Sequence, residues 1–333
     1  MTDEPSSTAS VATQLSAGVA QPMSIDDPAD PRLDDVRHLN SSDSRPDLPG
    51  GKGFVIAEGT LVVPRLLTSR YPVRCVVGFP EKLRILLDAT SPDSAHFHPD
   101  LAENLSGVPL YAVSRETLRE VAGFDMHRGL VAAADRVEES SVTEVLDQID
   151  ADHDNSSADP HVICVLEGVG DHENIGSIFR NAAGLGVRAV LFGAGTADPL
   201  YRRSVRVSMG HVLGVPFARF PGTPTTWQRD LTELQERGYT VVALTPNTDN
   251  DLASIVRGVG KEDGTHTHRN KVAIMVGAEG PGLTEHAMRA ADVRAKIPMQ
   301  PGTDSLNVAT AAAIGFYAAS EALRTSNNSN EGH

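Results

Sequence analysis

From residue 161 onward the chain repeats one pattern: a short, uninterrupted apolar run, then a stretch that reads as helix. The runs are His161-Val-Ile-Cys-Val-Leu-Glu167, Ala189-Val-Leu-Phe192, Tyr239-Thr-Val-Val-Ala-Leu244 and Lys271-Val-Ala-Ile-Met-Val-Gly277. None approaches the roughly 18 residues of a membrane span. Helical stretches follow at 174–185 and 225–237, and an Ala-rich one at 306–323. Strands that are apolar on both sides and separated by helices predict a parallel sheet covered on both faces. In such sheets ligands bind beyond the carboxyl ends of the strands, which directs attention to the loops after residues 244, 277 and 297.

The N-terminal part reads differently. Residues 1–49 are rich in Ser, Asp, Pro and Thr without sustained periodicity, and are expected to form a disordered acidic tail. Residues 50–135 alternate strand-like and helix-like pieces and predict a small α/β domain, compact from about Gly53. Its strands are expected at Phe54–Gly59, Val73–Gly78, Val108–Val113 and His127–Ala134, with helices at Leu61–Leu67 and after Ser114, a fitting N-cap. Residues 136–158 combine a short helical stretch with Asp-His-Asp-Asn-Ser-Ser and read as an acidic linker. The larger domain is then 159–325, and 326–333 are expected to be a second disordered tail.

The net charge of −15 opposes a polyanionic partner at first sight. Its distribution answers the objection. Residues 1–50 hold nine acidic and three basic side chains, and residues 135–160 hold nine acidic and one basic. Residues 174–220 hold Arg180, Arg188, Arg202, Arg203, Arg206 and Arg219 against only Asp198. Positive charge gathered in one stretch steers a polyanion, although a solvated Arg-rich face accounts for it as well. The two cysteines, Cys75 and Cys164, lie in apolar strand-like runs and read as buried reduced thiols. They form neither a zinc pattern nor a CxxC motif, so no metal is expected. The N-terminus lacks the basic and apolar segments of a secretory signal, and a cytoplasmic location is expected.

Three segments carry candidate chemistry. In Asn174-Ile-Gly-Ser-Ile-Phe-Arg180 the apolar residues Ile175, Ile178, Phe179, Ala182 and Leu185 make a core stripe at helical spacing. Ser177, Arg180, Asn181 and Gly184 fall on another face, and Asn174 stands where it can cap the helix. A capped surface helix would look the same. Gly277-Ala-Glu-Gly-Pro-Gly282 ends a strand with glycines that permit a tight turn and close backbone approach to a ligand, or simply a turn. Ile297-Pro-Met-Gln-Pro-Gly-Thr-Asp-Ser-Leu-Asn307 supplies a loop and then the start of the last helix, where Ser305 and Asn307 also suit a cap.

In this order and at this spacing, the three segments resemble the SpoU (TrmH-like) branch of the SPOUT RNA methyltransferases. The resemblance is strong over 160–323 and looser from 53. It implies S-adenosylmethionine as cofactor, a ribose 2′-hydroxyl of RNA as acceptor, a deep trefoil knot in the catalytic domain and a homodimer. By the same resemblance Asn174, Arg180, Glu279, Ser305 and Asn307 are the catalytic set. Thr245, Gly277, Glu279, Gly280, Ile297, Met299, Ser305 and Leu306 are the cofactor-binding set. The small first domain resembles the ribosomal-protein-like substrate-binding domain of such enzymes, through Glu58-Gly59, Arg65-Leu-Leu67 and His127-Arg-Gly-Leu130. Arg65, Arg128, Arg202, Arg203 and Arg206 are the RNA contacts this implies.

Arg180 aligns with the residue held to activate the 2′-hydroxyl. A guanidinium holds its proton in proteins, so Arg180 acts either as an unusual base or as a fixed charge on a developing alkoxide. Two other classes bear weighing. Gly193-Ala-Gly-Thr-Ala-Asp198 begins like a dinucleotide loop, but lacks the third glycine and is followed by Pro199. A catalytically silent RNA-binding protein of the same fold is opposed by the intact polar set. An added RNA-binding domain favours 23S rRNA over tRNA as substrate.

Overall fold

The computed structural model describes residues 19–41, 53–95, 97–152, 160–259 and 271–330. The chain divides after Arg136 into two compact units.

The first unit is built from β1 (Met23–Ser24), β2 (Phe54–Glu58), α1 (Val62–Leu67), β3 (Val73–Gly78), α2 (Pro80–Asp88), α3 (Pro99–Leu105), β4 (Leu110–Ala112), α4 (Arg115–Ala122) and β5 (Leu130–Asp135). The strands form one mixed sheet in the order β1-β4-β3-β5-β2. Strands β1, β4 and β3 run parallel, and β5 is antiparallel to both its neighbours. Ser114 caps α4 as expected, accepting from Thr117 N at 3.0 Å.

The expectation of a structureless tail over 1–49 is corrected for residues 19–41; residues 1–18 and 42–49 lie outside the described residues. Strand β1 extends the sheet edge, and Ile25 N donates to Ala112 O at 2.9 Å. A 3-10 helix, Pro31–Val36, follows, capped by Asp30. Ile25, Leu33, Val36 and Leu39 join the core with Cys75, Val77, Leu118 and Val121. The segment is mostly polar, so its average composition hides these few anchors. Order comes from burying them against a surface that lies far along the chain.

The second unit contains α5 (Val142–Ala151), β6 (His161–Glu167), α6 (His172–Leu185), β7 (Ala189–Phe192), α7 (Arg202–Val207), β8 (Phe217–Arg219), α8 (Leu231–Glu236), β9 (Thr240–Leu244), α9 (Leu252–Gly258), β10 (Lys271–Gly277), α10 (Glu285–Ala290), β11 (Val293–Ala295) and α11 (Val308–Asn330). Its six strands are ordered β11-β9-β10-β6-β7-β8, and every neighbouring pair is parallel. Helices α5, α8 and α10 cover one face, burying Val145, Leu146, Leu234 and Ala287 against Ile163, Val165, Val241 and Met275. Helices α6, α9 and α11 cover the other. Close approach of α11 rests on Gly315, where a Cβ would lie 2.8 Å from Ile274 Cγ2.

Three boundaries differ from expectation. The linker over 136–158 contains α5, opened by a Ser141/Glu144 capping box, and its buried side chains belong to the second unit's core. The helix expected over 225–237 begins as a tighter 3-10 turn, Trp227–Asp230, which seats the indole on Gly193. The backbone of α11 continues to Asn330, through part of the expected C-terminal tail; 331–333 lie outside the described residues.

Among the described residues, no helix is long and apolar enough to cross a membrane. Both cysteines are buried and free. Burial pushes the Cys75 thiol up to about 12 and raises that of Cys164 as well. The native protein is therefore expected to be silent to a thiol reagent at pH 8, and to release two equivalents on unfolding. Reaction before unfolding would show that one strand opens locally.

Candidate active site

Helix α6 fixes the first part of the site. Its cap is Asp171, whose carboxylate accepts from Glu173 N at 2.8 Å. Asn174 was expected in that role; it stands one turn inside the helix instead, and its side chain is released for other bonds. Ile175, Ile178, Phe179 and Ala182 are fully buried, with Phe179 stacked against Phe192 and Phe217 at 6.2 and 5.9 Å. Leu185 is half-buried. This stripe sets the rotation of α6 about its axis and leaves Arg180 exposed on the opposite side, with Ser177 and Asn181 half-buried. Asn181 Nδ2 donates to Ala309 O at 3.4 Å, joining α6 to the start of α11.

Strand β10 delivers the second part. Gly277 is packed so tightly on the returning chain that a Cβ would lie 2.3 Å from Gly282 C and Leu283 N. Residues Ala278 and Gly282 are bridged, and Gly280 and Gly282 take φ of 84° and 71°. Only glycine accepts this turn at low cost. It holds Glu279 out from the end of the sheet.

The third part begins at Asn307. Its Oδ1 accepts from Ala309 N and Thr310 N at 3.0 and 3.1 Å, so it caps α11. That bond directs Nδ2 the other way, to Asn174 Oδ1 at 2.8 Å and Glu279 Oε1 at 3.2 Å. Asn174 Nδ2 donates to the same Glu279 Oε1 at 2.7 Å. The cap and the network are served by one amide, and each fixes the orientation of the other. Asn174 thus forms a closed cycle of hydrogen bonds with two residues more than a hundred positions further along the chain, at the carboxyl end of a parallel sheet. Glu279 Oε2 is left without a donor among the described residues.

The remaining expected residues fall in two groups. The loops after β9 and β11 run side by side: Thr245 N donates to Ala295 O at 3.0 Å, Lys296 N to Asn250 O at 2.8 Å and Leu252 N to Lys296 O at 2.9 Å. Thr245, Ile297, Met299 and Leu306 are half-buried there. Gly280 and Ser305 are exposed, and Ser305 does not join the Asn174–Glu279–Asn307 cycle.

The arginines sort by what they touch. Arg180 makes no hydrogen bond or ion pair among the described residues. Helix α7 lies against α6 because Gly176 has no side chain; a Cβ there would lie 2.8 Å from Ser204 O and from Val207 Cβ. Ser204 Oγ donates to His172 O at 3.0 Å. Arg203 is exposed, with its guanidinium 3.8 Å from Glu173 Oε1, while Arg202 and Arg206 are half-buried. Arg219 is structural: it donates to Thr196 O and Ala197 O at 3.1 and 3.3 Å, covers the Phe192 ring and pairs with Glu139. The 193–198 loop it clamps leads to Pro199 and not into a helix, since α7 starts only at Arg202, so the dinucleotide reading loses its structural premise. In the first unit Arg65 and Arg128 are exposed, and Arg128 Nη1 donates to Glu58 O at 3.3 Å over Gly59. Arg74 is held by Asp35, Asp135 and the Phe54 ring.

Comparison with known proteins follows the same lines. The sequence model described as SpoU rRNA Methylase family matches residues 161–317. The chain is 50% identical over 292 residues to a protein of Mycobacterium tuberculosis described as an uncharacterized tRNA/rRNA methyltransferase, covering 87% of this chain and 89% of that one. It is 30% identical over 213 residues to the 23S rRNA (guanosine-2'-O-)-methyltransferase RlmB of Vibrio vulnificus, covering 64% of this chain and 78% of that one. Among solved structures, an AdoMet-bound rRNA methyltransferase from Sinorhizobium meliloti shares the fold with a TM-score of 0.65 and 22% identity, covering 90% of this chain and 98% of that one.

Proposed function

The chain belongs to the SpoU family of RNA methyltransferases, and from that membership we propose that it transfers a methyl group from S-adenosylmethionine to a ribose 2′-hydroxyl of 23S rRNA. The observation that carries this reading is the closed cycle of Asn174, Glu279 and Asn307, with Arg180 exposed on the same helix as Asn174 and making no hydrogen bond or ion pair among the described residues. The preference for 23S rRNA rests on the RlmB relative and on the arginine-bearing first unit.

S-adenosylmethionine supplies an electrophilic methyl group on a sulfonium. The residues present fit such a donor. The paired loops after β9 and β11 offer backbone groups and the half-buried Thr245, Ile297, Met299 and Leu306, which suit an adenosine. The Gly277–Gly280 turn lets the backbone approach closely. Ser305 stands at the methionine end in this reading. Glu279, held on one oxygen by two amides, keeps the other oxygen for a ligand donor.

Arg180 acts as a fixed positive charge. A ribose hydroxyl is a very weak acid and a poor nucleophile, so its proton is drawn off to a base as the methyl group is attacked, and negative charge builds on O2′ to the extent that the O–H bond has broken. A guanidinium already in place stabilises that charge without reorganising. Arg202, Arg203 and Arg206 on α7, and Arg65 and Arg128 in the first unit, hold phosphates and set register. The catalytic unit acts as a homodimer carrying a trefoil knot. Two features support this: β10 is inserted between β9 and β6, and Ile314 and Tyr317 expose 37% and 59% of their surface on one face of α11.

The test is transfer of a labelled methyl group to unmodified total RNA, separated into rRNA and tRNA, with mass spectrometry of the digested nucleosides. A 2′-O-methylated nucleoside from 23S rRNA is the expected product. Label confined to tRNA would move the substrate to the other class. No label in either, with the cofactor bound, would favour a silent RNA-binding protein.

A further inference from the structure

We propose that Glu167 is a positioning residue that holds the Glu279 turn in its working geometry. The proposal rests on reading Asn174, Glu279 and Asn307 as the active site. Glu167 closes β6 and is only 4% exposed. Its backbone is registered against Gly277, the residue from which the turn departs. Its carboxylate reaches the residue that follows the turn's return. Oε2 accepts from Thr284 N at 2.7 Å, and Oε1 accepts from Thr284 Oγ1 at 2.8 Å and from Trp227 Nε1 at 3.0 Å. Thr284 in turn caps α10 through Ala287 N at 3.2 Å. One residue therefore fixes both ends of the loop on which Glu279 stands.

The turn has little packing of its own to replace this. Glu279, Gly280, Pro281 and Gly282 are all exposed. Trp227, by contrast, is fully buried against Gly193 and Phe220, so the carboxylate ties an exposed turn to the packed core.

The chemistry also requires a carboxylate. All three donors are uncharged, so burying an anion here is costly unless each bond is made. A carboxylate accepts at both oxygens and has nothing to donate. The amide of glutamine has nearly the same shape, but its NH₂ must face either Thr284 N or the Trp227 and Thr284 Oγ1 donors. A donor facing a donor separates the two, and the displacement passes along the chain to Glu279. Misplacement of an aligned group by about 1 Å costs on the order of 10²-fold in rate.

The experiment is a double-mutant cycle on the full chain, with unmodified total RNA and labelled S-adenosylmethionine, together with a thermal melt of each variant. Glu167→Gln is expected to lower the transfer rate by about tenfold or more. The pair Glu167→Gln/Glu279→Gln is expected to be no slower than Glu279→Gln alone, because Glu167 acts through Glu279. Two independent losses that multiply would overturn the proposal, and so would an unchanged rate in Glu167→Gln. A Glu279→Gln chain with full activity would instead remove the site reading on which the proposal stands. Should Glu167→Gln not fold, Trp227→Phe removes one donor and keeps a smaller aromatic side chain in its place. A rate loss absorbed by Glu279→Gln supports the proposal, and additive or absent loss overturns it.

Discussion

Arg180→Ala is expected to stop methyl transfer, with the single-turnover rate falling by about 10²–10³-fold or more, while S-adenosylmethionine binds as it does to the parent chain. The separation of the two effects follows from the geometry. The guanidinium is exposed and makes no bond to the described residues, so its removal leaves the Asn174–Glu279–Asn307 cycle and the helix stripe beneath it intact. A surface change of that kind moves stability by about 0.5 kcal/mol at most. What is lost, on the proposed mechanism, is a fixed charge where negative charge develops. Calorimetric titration of the cofactor and a labelled-methyl assay on one preparation give both quantities. Undiminished transfer by the variant would take Arg180 out of the chemistry. Loss of cofactor binding in step with activity would place it in the cofactor site instead.

Removing residues 1–41 is expected to unfold the first unit, or to lower its melting temperature steeply. Ile25, Leu33, Val36 and Leu39 are each at most 2% exposed. At about 1.5–3 kcal/mol per fully buried aliphatic side chain, their loss rivals the whole stability of a typical domain. The truncation also uncovers Cys75, Val77 and Val121 and strips the β1 edge from β4. Differential scanning calorimetry of the truncated chain should show the transition of the first unit lost or shifted down, with that of the second unit retained. An unchanged transition would mean that the segment only lies on the unit without contributing to it.

Much of the second unit was legible in the sequence. Strands β6, β7 and β10 begin and end where their runs do, because strands buried on both faces are apolar between their end residues. The first unit was harder to read. Strand β4 spans only Leu110–Ala112 of the expected run, and β1 has two residues, too few to show a period. Strands β8 and β11 escaped for the same reason, at three residues each. Helix α5 was visible as a helical stretch, yet its acidic surroundings concealed that Val142, Val145, Leu146 and Ile149 face a core.

For the site, three segments and the family they resemble singled out Asn174, Arg180, Glu279 and Asn307 without any coordinates. They did not assign the jobs. Asn174 was placed as a cap, and the helix is capped by Asp171; Asn307 does cap its helix, and its amide also bonds Asn174 and Glu279. Ser305 was grouped with them and stands apart. Glu167 was read only as the last residue of a strand, because nothing local shows that Trp227 and Thr284 will face it.

By itself the sequence determined the α/β character of the second unit, the limits of its buried strands and the tight turns at Gly277–Gly282. These depend on side-chain volume, polarity and allowed φ, which act over a few positions. The order of the strands, the seating of α7 on Gly176, the anchoring of residues 19–41 and the closed cycle of Asn174, Glu279 and Asn307 were decided only by the tertiary structure. Each brings together groups far apart in the chain, and the free energy that selects such contacts exists only once the intervening core has packed.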